Sequence, residues 1–431
     1  MRNMIVRENF TEPLSEEEIK AAVVEAIEKF GRVERVLVLH PDYTRIDFTH
    51  LIFPTLLEEL KSKGLKECHT LNASGTHRKM TETEILEKLG LSQKDYSLFF
   101  HNHEYDDPAA LTTVGELPPE FVHEKTDGEL NLPFPVTVNK MLVEKFDLII
   151  AISGTVPHEA TGFSGGLKIF VPGVAGPEVV GLFHWAAVLI GIPQIIGSFS
   201  NPARDVINAA CELIFQKTQC PVISFNMVYD ETDEGIIPRG LYIDEGLEGF
   251  LRTYERAAHA SSRLHIVYIE EPLDVAVQVI GPEYDEIWTA GKGSYKLQRP
   301  GVMKEGGEII IYAPHIHCFH SNKMMDESIR RIGYHCKGYV REFLKKHPEF
   351  DRNVAAHVIN VRGPGTYDPV SGIEKCKLKI TLATGIPKEV CEAVNLGYRN
   401  PGSIKREDFE GPGMLWIEHG GKYLYARREV K

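Results

Sequence analysis

Apolar residues fall into two rhythms along this chain, one helical and one strand-like. Hydrophobic positions three and four apart in KAAVVEAIEKF, Leu51 to Leu60, Thr81 to Leu89 and Leu247 to Ala258 predict amphipathic helices. Ser15-Glu16-Glu17-Glu18 is a capping box that opens the first of them. Short β-like runs lie between: Val33 to Leu39, Cys68 to Asn72, Leu98 to His101, Leu148 to Ile152 and Val222 to Met227. These predict buried strands, and their alternation with helices predicts an α/β fold with a largely parallel sheet.

The helix from Leu247 ends in His-Ala-Ser-Ser-Arg, and a domain break is expected near Ala258 to Arg263. Beyond it, Leu264 to Ile269, Val275 to Ile280, Glu308 to Tyr312, Ala355 to Val361 and Leu378 to Leu382 read as strands, with helices around 322–347 and 387–395. The expectation is two α/β domains with an active-site cleft between them: an N-terminal domain over 1–262 and a C-terminal domain over 263–402. Residues 403–431 form a tail with its own aromatics (Phe409, Trp416, Tyr423, Tyr425), expected to fold back on one of them, the N-terminal domain first.

Charge narrows the partners. Lys plus Arg is 48 against 61 for Asp plus Glu, a formal net charge of −13, which disfavours nucleic acid and anionic membranes while leaving room for a local anion pocket. No apolar run approaches the roughly 18 residues of a membrane span, and the amino terminus has no signal-peptide pattern. The seven cysteines are scattered without a C-x-x-C pair and read as reduced thiols, so a cytoplasmic protein is expected.

The densest chemistry follows the strand at Leu148: Pro157-His158-Glu159-Ala160-Thr161-Gly162-Phe163-Ser164-Gly165-Gly166-Leu167-Lys168. Leaving the carboxyl end of a strand, this segment suits ligand binding, with Gly165 and Gly166 bringing bare N–H groups to an anion and Lys168 offering a charge or a nucleophile. It equally suits a tight turn with a solvated lysine. Asp42-Tyr43-Thr44-Arg45 and Ser74-Gly75-Thr76-His77-Arg78 follow two other strands, so successive strand ends each carry polar groups. Arg45 suits a carboxylate, although a local Asp–Arg pair explains the first motif as well. His184 is either a metal-binding imidazole or a capping or core histidine. Lys292, in Thr289-Ala290-Gly291-Lys292-Gly293, is either a clamp on a substrate anion or an exposed turn lysine. His315, His317 and His320 lack a matching distal pair and read as a polar loop.

Together, Asp42-x-x-Arg45, Ser74 to Arg78, the segment from His158 to Gly173, and His184 resemble the nickel-dependent lactate racemase family over most of the chain. The resemblance implies nickel held by a nickel-pincer nucleotide of the pyridinium-3,5-dithiocarboxylate mononucleotide type, covalent to Lys168. It implies His184 as a nickel ligand, and Ser164, Gly165 and Gly166 beside the nucleotide. It further implies His77 and His158 as paired acid/base residues, Asp42 and Arg45 as orienting and substrate-stabilising groups, and Lys292 as the carboxylate-binding lysine. The implied activity is racemisation or epimerisation at C2 of a 2-hydroxy acid by hydride transfer through a 2-keto acid. Cofactor-biosynthesis proteins are implied as loading partners. One departure stands out: Thr289 occupies a position where the family's lactate enzymes carry glutamine, which points beyond lactate to larger 2-hydroxy acids, including sugar acids. Two other functions remain open to the same residues: a pyridoxal-phosphate enzyme using Lys168 as a Schiff base, and a non-catalytic nickel- or nucleotide-binding protein.

Overall fold

The computed structural model describes residues 4–75, 77–232, 235–282 and 284–428. The chain divides into two units, Met1–Ala186 with Ser198–Leu264, and Ala187–Gly197 with His265–Lys431. Each has its own sheet.

In the first unit the strand order is Ile5–Glu8, Gly235–Glu245, Val222–Thr232, Leu148–Gly154, Arg35–Pro41, Glu67–Ala73, Leu98–Asn102. The five strands from Val222–Thr232 to Leu98–Asn102 run parallel, and the other two pair antiparallel at one edge. Side chains alternate across a strand, so a sheet covered on both faces needs apolar residues throughout. Leu148–Gly154 meets that demand, with every residue but the last buried. Leu37, Leu39, Ile149 and Ala151 enter one core, together with Val206, Ile207, Ala210 and Ile214 of the helix Pro202–Lys217. Val36, Val38, Leu148, Ile150 and Ile152 enter the opposite core, beneath the helices Glu16–Glu28, Thr49–Ser62 and Glu82–Leu89. The capping box at Ser15 and Glu18 forms, and a second forms at Thr81 and Glu84.

The second unit has a parallel five-stranded sheet ordered Gly397–Tyr398, Lys379–Thr384, Met303–Ala313, Leu273–Val279, Met414–Ile417. Three expectations need correction here. Ala355 to Val361 is no strand but part of the helix Arg352–Arg362, capped by the Asp351 carboxylate. Six of its eleven residues are buried, among them Val354, Ala355, Val358 and Val361 at helical spacing, which a short apolar run conceals. The helix at Leu247 does not stop near Ala258 but continues over Gly246–His265. The tail joins the second unit and not the first: Met414–Ile417 pairs with Leu273–Val279, and Leu424–Arg427 pairs with Ile266–Ile269. Edge strands offer open N–H and C=O groups, and the tail satisfies them. No helix of the described residues is long and apolar enough to cross a membrane.

Deleting the chain from residue 412 onward removes both tail strands from the second unit. The expected result is loss of soluble protein or a thermal midpoint lower by about 10 °C. A truncated chain that melts like the full one would show that the tail is peripheral.

Candidate active site

Parallel register brings several strand ends level. Pro41 lies opposite Ala73, and Leu39 lies opposite Ala151, so the loops after Arg35–Pro41, Glu67–Ala73 and Leu148–Gly154 leave the same edge of the sheet. Ligand sites of open α/β sheets form at such edges.

The first two loops are joined through a carboxylate. Asp42, almost fully buried, accepts a 2.5 Å hydrogen bond from His77 Nδ1. The Thr44 backbone and hydroxyl donate to its other oxygen at 2.9 and 2.6 Å. Burial alone would raise the Asp42 carboxyl, but the bonds from His77 and Thr44 outweigh it and bring it down to about 2. It therefore stays ionised and fixes the His77 tautomer, leaving Nε2 as the acceptor on a ring that is 42% exposed. The His77 loop is clipped to the lysine segment by the Gly75 N–H, which donates to the Gly173 carbonyl at 2.9 Å. Thr76 lies outside the described residues.

His158 sits in a short hairpin, Pro157–His158 against Gly162–Phe163. Ala160 N–H donates to His158 Nδ1 at 3.1 Å, so the proton of the neutral ring resides on Nε2, the opposite tautomer to His77. Burial, with the Lys168 and Arg45 charges behind it, holds His158 well below the usual imidazole range despite the nearby Glu159. Burial first, then the Arg45 charge, lowers the Lys168 ammonium to about 7. His184, on the helix Pro177–Ile190, is lowered to about 4 by burial and by the Lys168 charge, and its ring lies 4.0 Å from that of Phe183. Near neutral pH this cluster therefore offers an amine that is uncharged in a substantial fraction of molecules and two neutral imidazoles. Arg45 is itself exposed and contributes through its field.

The glycines act sterically. Gly165 has φ +78°, and a Cβ there would lie 2.2 Å from Thr155 Oγ1; a Cβ on Gly166, at φ +57°, would lie 2.9 Å from Tyr254 Cβ. The Gly166 N–H donates to Ser153 Oγ at 3.3 Å. The Ser164 hydroxyl donates to the Gly154 carbonyl at 2.8 Å and accepts from Val156 N–H at 3.0 Å. These groups close the loop that carries Lys168.

Thr289 and Lys292 belong to the second unit. Thr289 Oγ1 donates to the Glu286 carbonyl at 3.2 Å, and the Lys292 ammonium donates to the Tyr284 hydroxyl, 3.7 Å above that ring. His315 contacts the Tyr284 carbonyl at 2.9 Å and His320 lies 3.5 Å from Glu286, so these loop histidines have local partners.

Two contributors escaped the sequence. Burial would raise the Glu159 carboxyl, yet His158, Arg45 and Lys168 hold it at about 2, which makes it the acid of a cationic cluster. Arg204, 2% exposed, donates to the Phe163 carbonyl and stacks 4.0 Å over Tyr254, and its charge also depresses Lys168. Glu159 lay within the quoted segment; nothing in the spacing of Asn201-Pro202-Ala203-Arg204 marks the arginine as buried. Among the described residues, no three His, Cys, Asp or Glu side chains converge to hold a metal ion. The donor set, one imidazole beside a neutral amine and a buried guanidinium, fits an anionic group attached through Lys168 that brings most of a metal's ligands with it.

Residues 2–191 match the family described as lactate racemase N-terminal domain. The chain is 25% identical over 293 residues to a lactate racemase of Lactiplantibacillus plantarum, covering 64% of this chain and 59% of that protein. It is 28% identical over 180 residues to a lactate racemase of Thermoanaerobacterium thermosaccharolyticum, covering 41% of this chain and 39% of that protein. Both matches span less than two thirds of the curated relatives. A crystal structure of a protein from Thermotoga maritima is similar at TM-score 0.87 and 59% identity, over 98% of this chain and 100% of that one. The lactate racemase apoprotein of Thermoanaerobacterium thermosaccharolyticum shares the fold at TM-score 0.63 and 18% identity, over 99% of this chain and 94% of that one.

Acylation of Lys168, followed by peptide mass mapping across pH, is expected to rise with a midpoint near 7, because the reactive form is the free amine. Solvated lysines titrate near 10.4. A Lys168 midpoint in that higher range would remove the amine from the buried cluster.

Proposed function

The chain belongs to the lactate racemase family, and from that premise we propose that it is an isomerase that inverts C2 of a 2-hydroxy carboxylic acid. The observation that carries this reading is the pair of imidazoles in opposite tautomers, His77 through Asp42 and His158 through Ala160, on loops from one sheet edge.

A racemase must accept a hydroxyl proton from one enantiomer and return it to the other. His77, with Nε2 unprotonated and an ionised carboxylate behind Nδ1, is the base in one direction, since Asp42 stabilises the imidazolium that forms. His158 is assigned as the matching acid/base: it gives a proton only after taking one up as the imidazolium, and its lowered basicity makes that imidazolium a ready donor. In the reverse direction the two exchange roles. Arg45 is assigned to the substrate carboxylate, which positions C2 before reaction, and Lys292 remains the carboxylate-binding lysine that the family resemblance implies.

Lys168 is assigned as the attachment point of a nickel-pincer nucleotide and His184 as a protein ligand to its nickel. When bound, that group would supply a reversible acceptor for the C2 hydride, so that substrate passes through a planar 2-keto acid. The lowered basicity of Lys168 and His184 suits both assignments, because an amine must be uncharged to form an amide-like bond and an imidazole must be unprotonated to bind a metal. Cofactor-loading proteins are the proposed partners. Thr289 in place of glutamine favours substrates larger than lactate, with sugar acids among them.

The proposal is tested with nickel-loaded protein and a panel of chiral 2-hydroxy acids. His77→Ala and His158→Ala are each expected to lower inversion about 10³-fold while leaving nickel content unchanged; full activity in either variant would remove that residue from the reaction. Thr289→Gln is expected to shift relative kcat/KM toward lactate by about tenfold. An unchanged ratio would show that this position does not govern substrate size.

A further inference from the structure

The second unit contains a cavity of about 550 Å³, and no residue assigned to the reaction lines it. Pockets of roughly 300–1,000 Å³ enclose small organic ligands. Its lining includes the apolar residues Ile190, Ile192, Ile359 and Leu378. It also includes Arg299, Lys304, Lys337 and Lys377 with a single carboxylate, Glu305. This excess of cations reverses the balance of a chain with 48 basic and 61 acidic residues.

The charges are not equivalent. Lys304 pairs with Asp274 at 2.7 Å, outside the cavity lining, which still leaves cations in excess. Lys337 is half-buried and donates to the Leu189 carbonyl, tying the 187–197 segment into the wall. Lys377 is exposed at the rim. Two amides complete the lining. Gln298, 4% exposed, donates from Nε2 to Ser294 Oγ at 2.8 Å, while its Oε1 and Asn360 Oδ1 have no hydrogen-bond partner among the described residues.

We propose that this cavity binds a nucleoside phosphate. A planar base suits the apolar lining residues, and a phosphate matches Lys337 and Lys377 because its several charged oxygens engage more than one cation at once. The inference is independent of the proposed reaction.

The test is calorimetric titration of the full chain with AMP, adenosine and inorganic phosphate. Saturable one-to-one binding of AMP with a Kd on the order of 10–100 μM is expected, weakening as ionic strength rises, with adenosine and inorganic phosphate each at least about tenfold weaker. Lys377→Glu and Lys337→Gln should each weaken AMP about tenfold, while Lys168→Ala should not. Because Lys337→Gln alters a half-buried group, AMP protection of the exposed Lys377 amine from acetylation in the unsubstituted protein provides a second readout. The proposal is overturned by absence of saturable AMP binding below about 1 mM, or by adenosine or inorganic phosphate binding as tightly as AMP. It is likewise overturned if Lys168→Ala abolishes binding and Lys377→Glu does not, which would move AMP to the first unit.

Discussion

Parallel register in the first unit's sheet is the constraint on which the candidate site depends. It sets Pro41 beside Ala73 and Leu39 beside Ala151, so loops far apart in sequence emerge together. Burial then does the electrical work. Lys168, Arg45, Arg204, His158 and His184 are compensated by the carboxylates Glu159 and Asp42, and desolvation together with mutual repulsion strips protons from the groups least able to hold them. The same forces that make the cluster costly to fold make its amine and imidazoles chemically available.

Much of this was legible in the chain because it is written in local signals. Apolar runs of strand length located the central strands, and each candidate motif followed such a run directly. Glycines at 165 and 166 marked a special turn, although their physical reason is close packing against Thr155 and Tyr254. What stayed hidden depends on distant partners. Nothing near Arg204 foretells that its guanidinium ends beneath Phe163, and the clip from Gly75 to Gly173 joins residues that no local pattern relates. The strand Gly235–Glu245 escaped because Pro238 interrupts it; the ladder tolerates that proline near a shift of register at Val228 and Tyr229.

The second unit shows the limit of reading period alone. The segment 352–362 is apolar enough to pass for a buried strand and is instead a helix opened by the Asp351 cap and buried over much of its surface. The tail offered aromatics but no address. Its strands find partners only where Leu273–Val279 and Ile266–Ile269 present open edges.

The short segment Ala187–Gly197 is a detour: the chain leaves the first unit after Ala186, contributes to the second, and returns at Ser198. Neither unit is therefore a continuous stretch of gene. A single cut near residue 264 would strand eleven residues on the wrong fragment, since the span from 187 to 197 would travel with the half to which it does not belong. Ancestry by simple end-to-end fusion of two free-standing genes is correspondingly disfavoured, and recombination between relatives would have to exchange both units together or break the second one open.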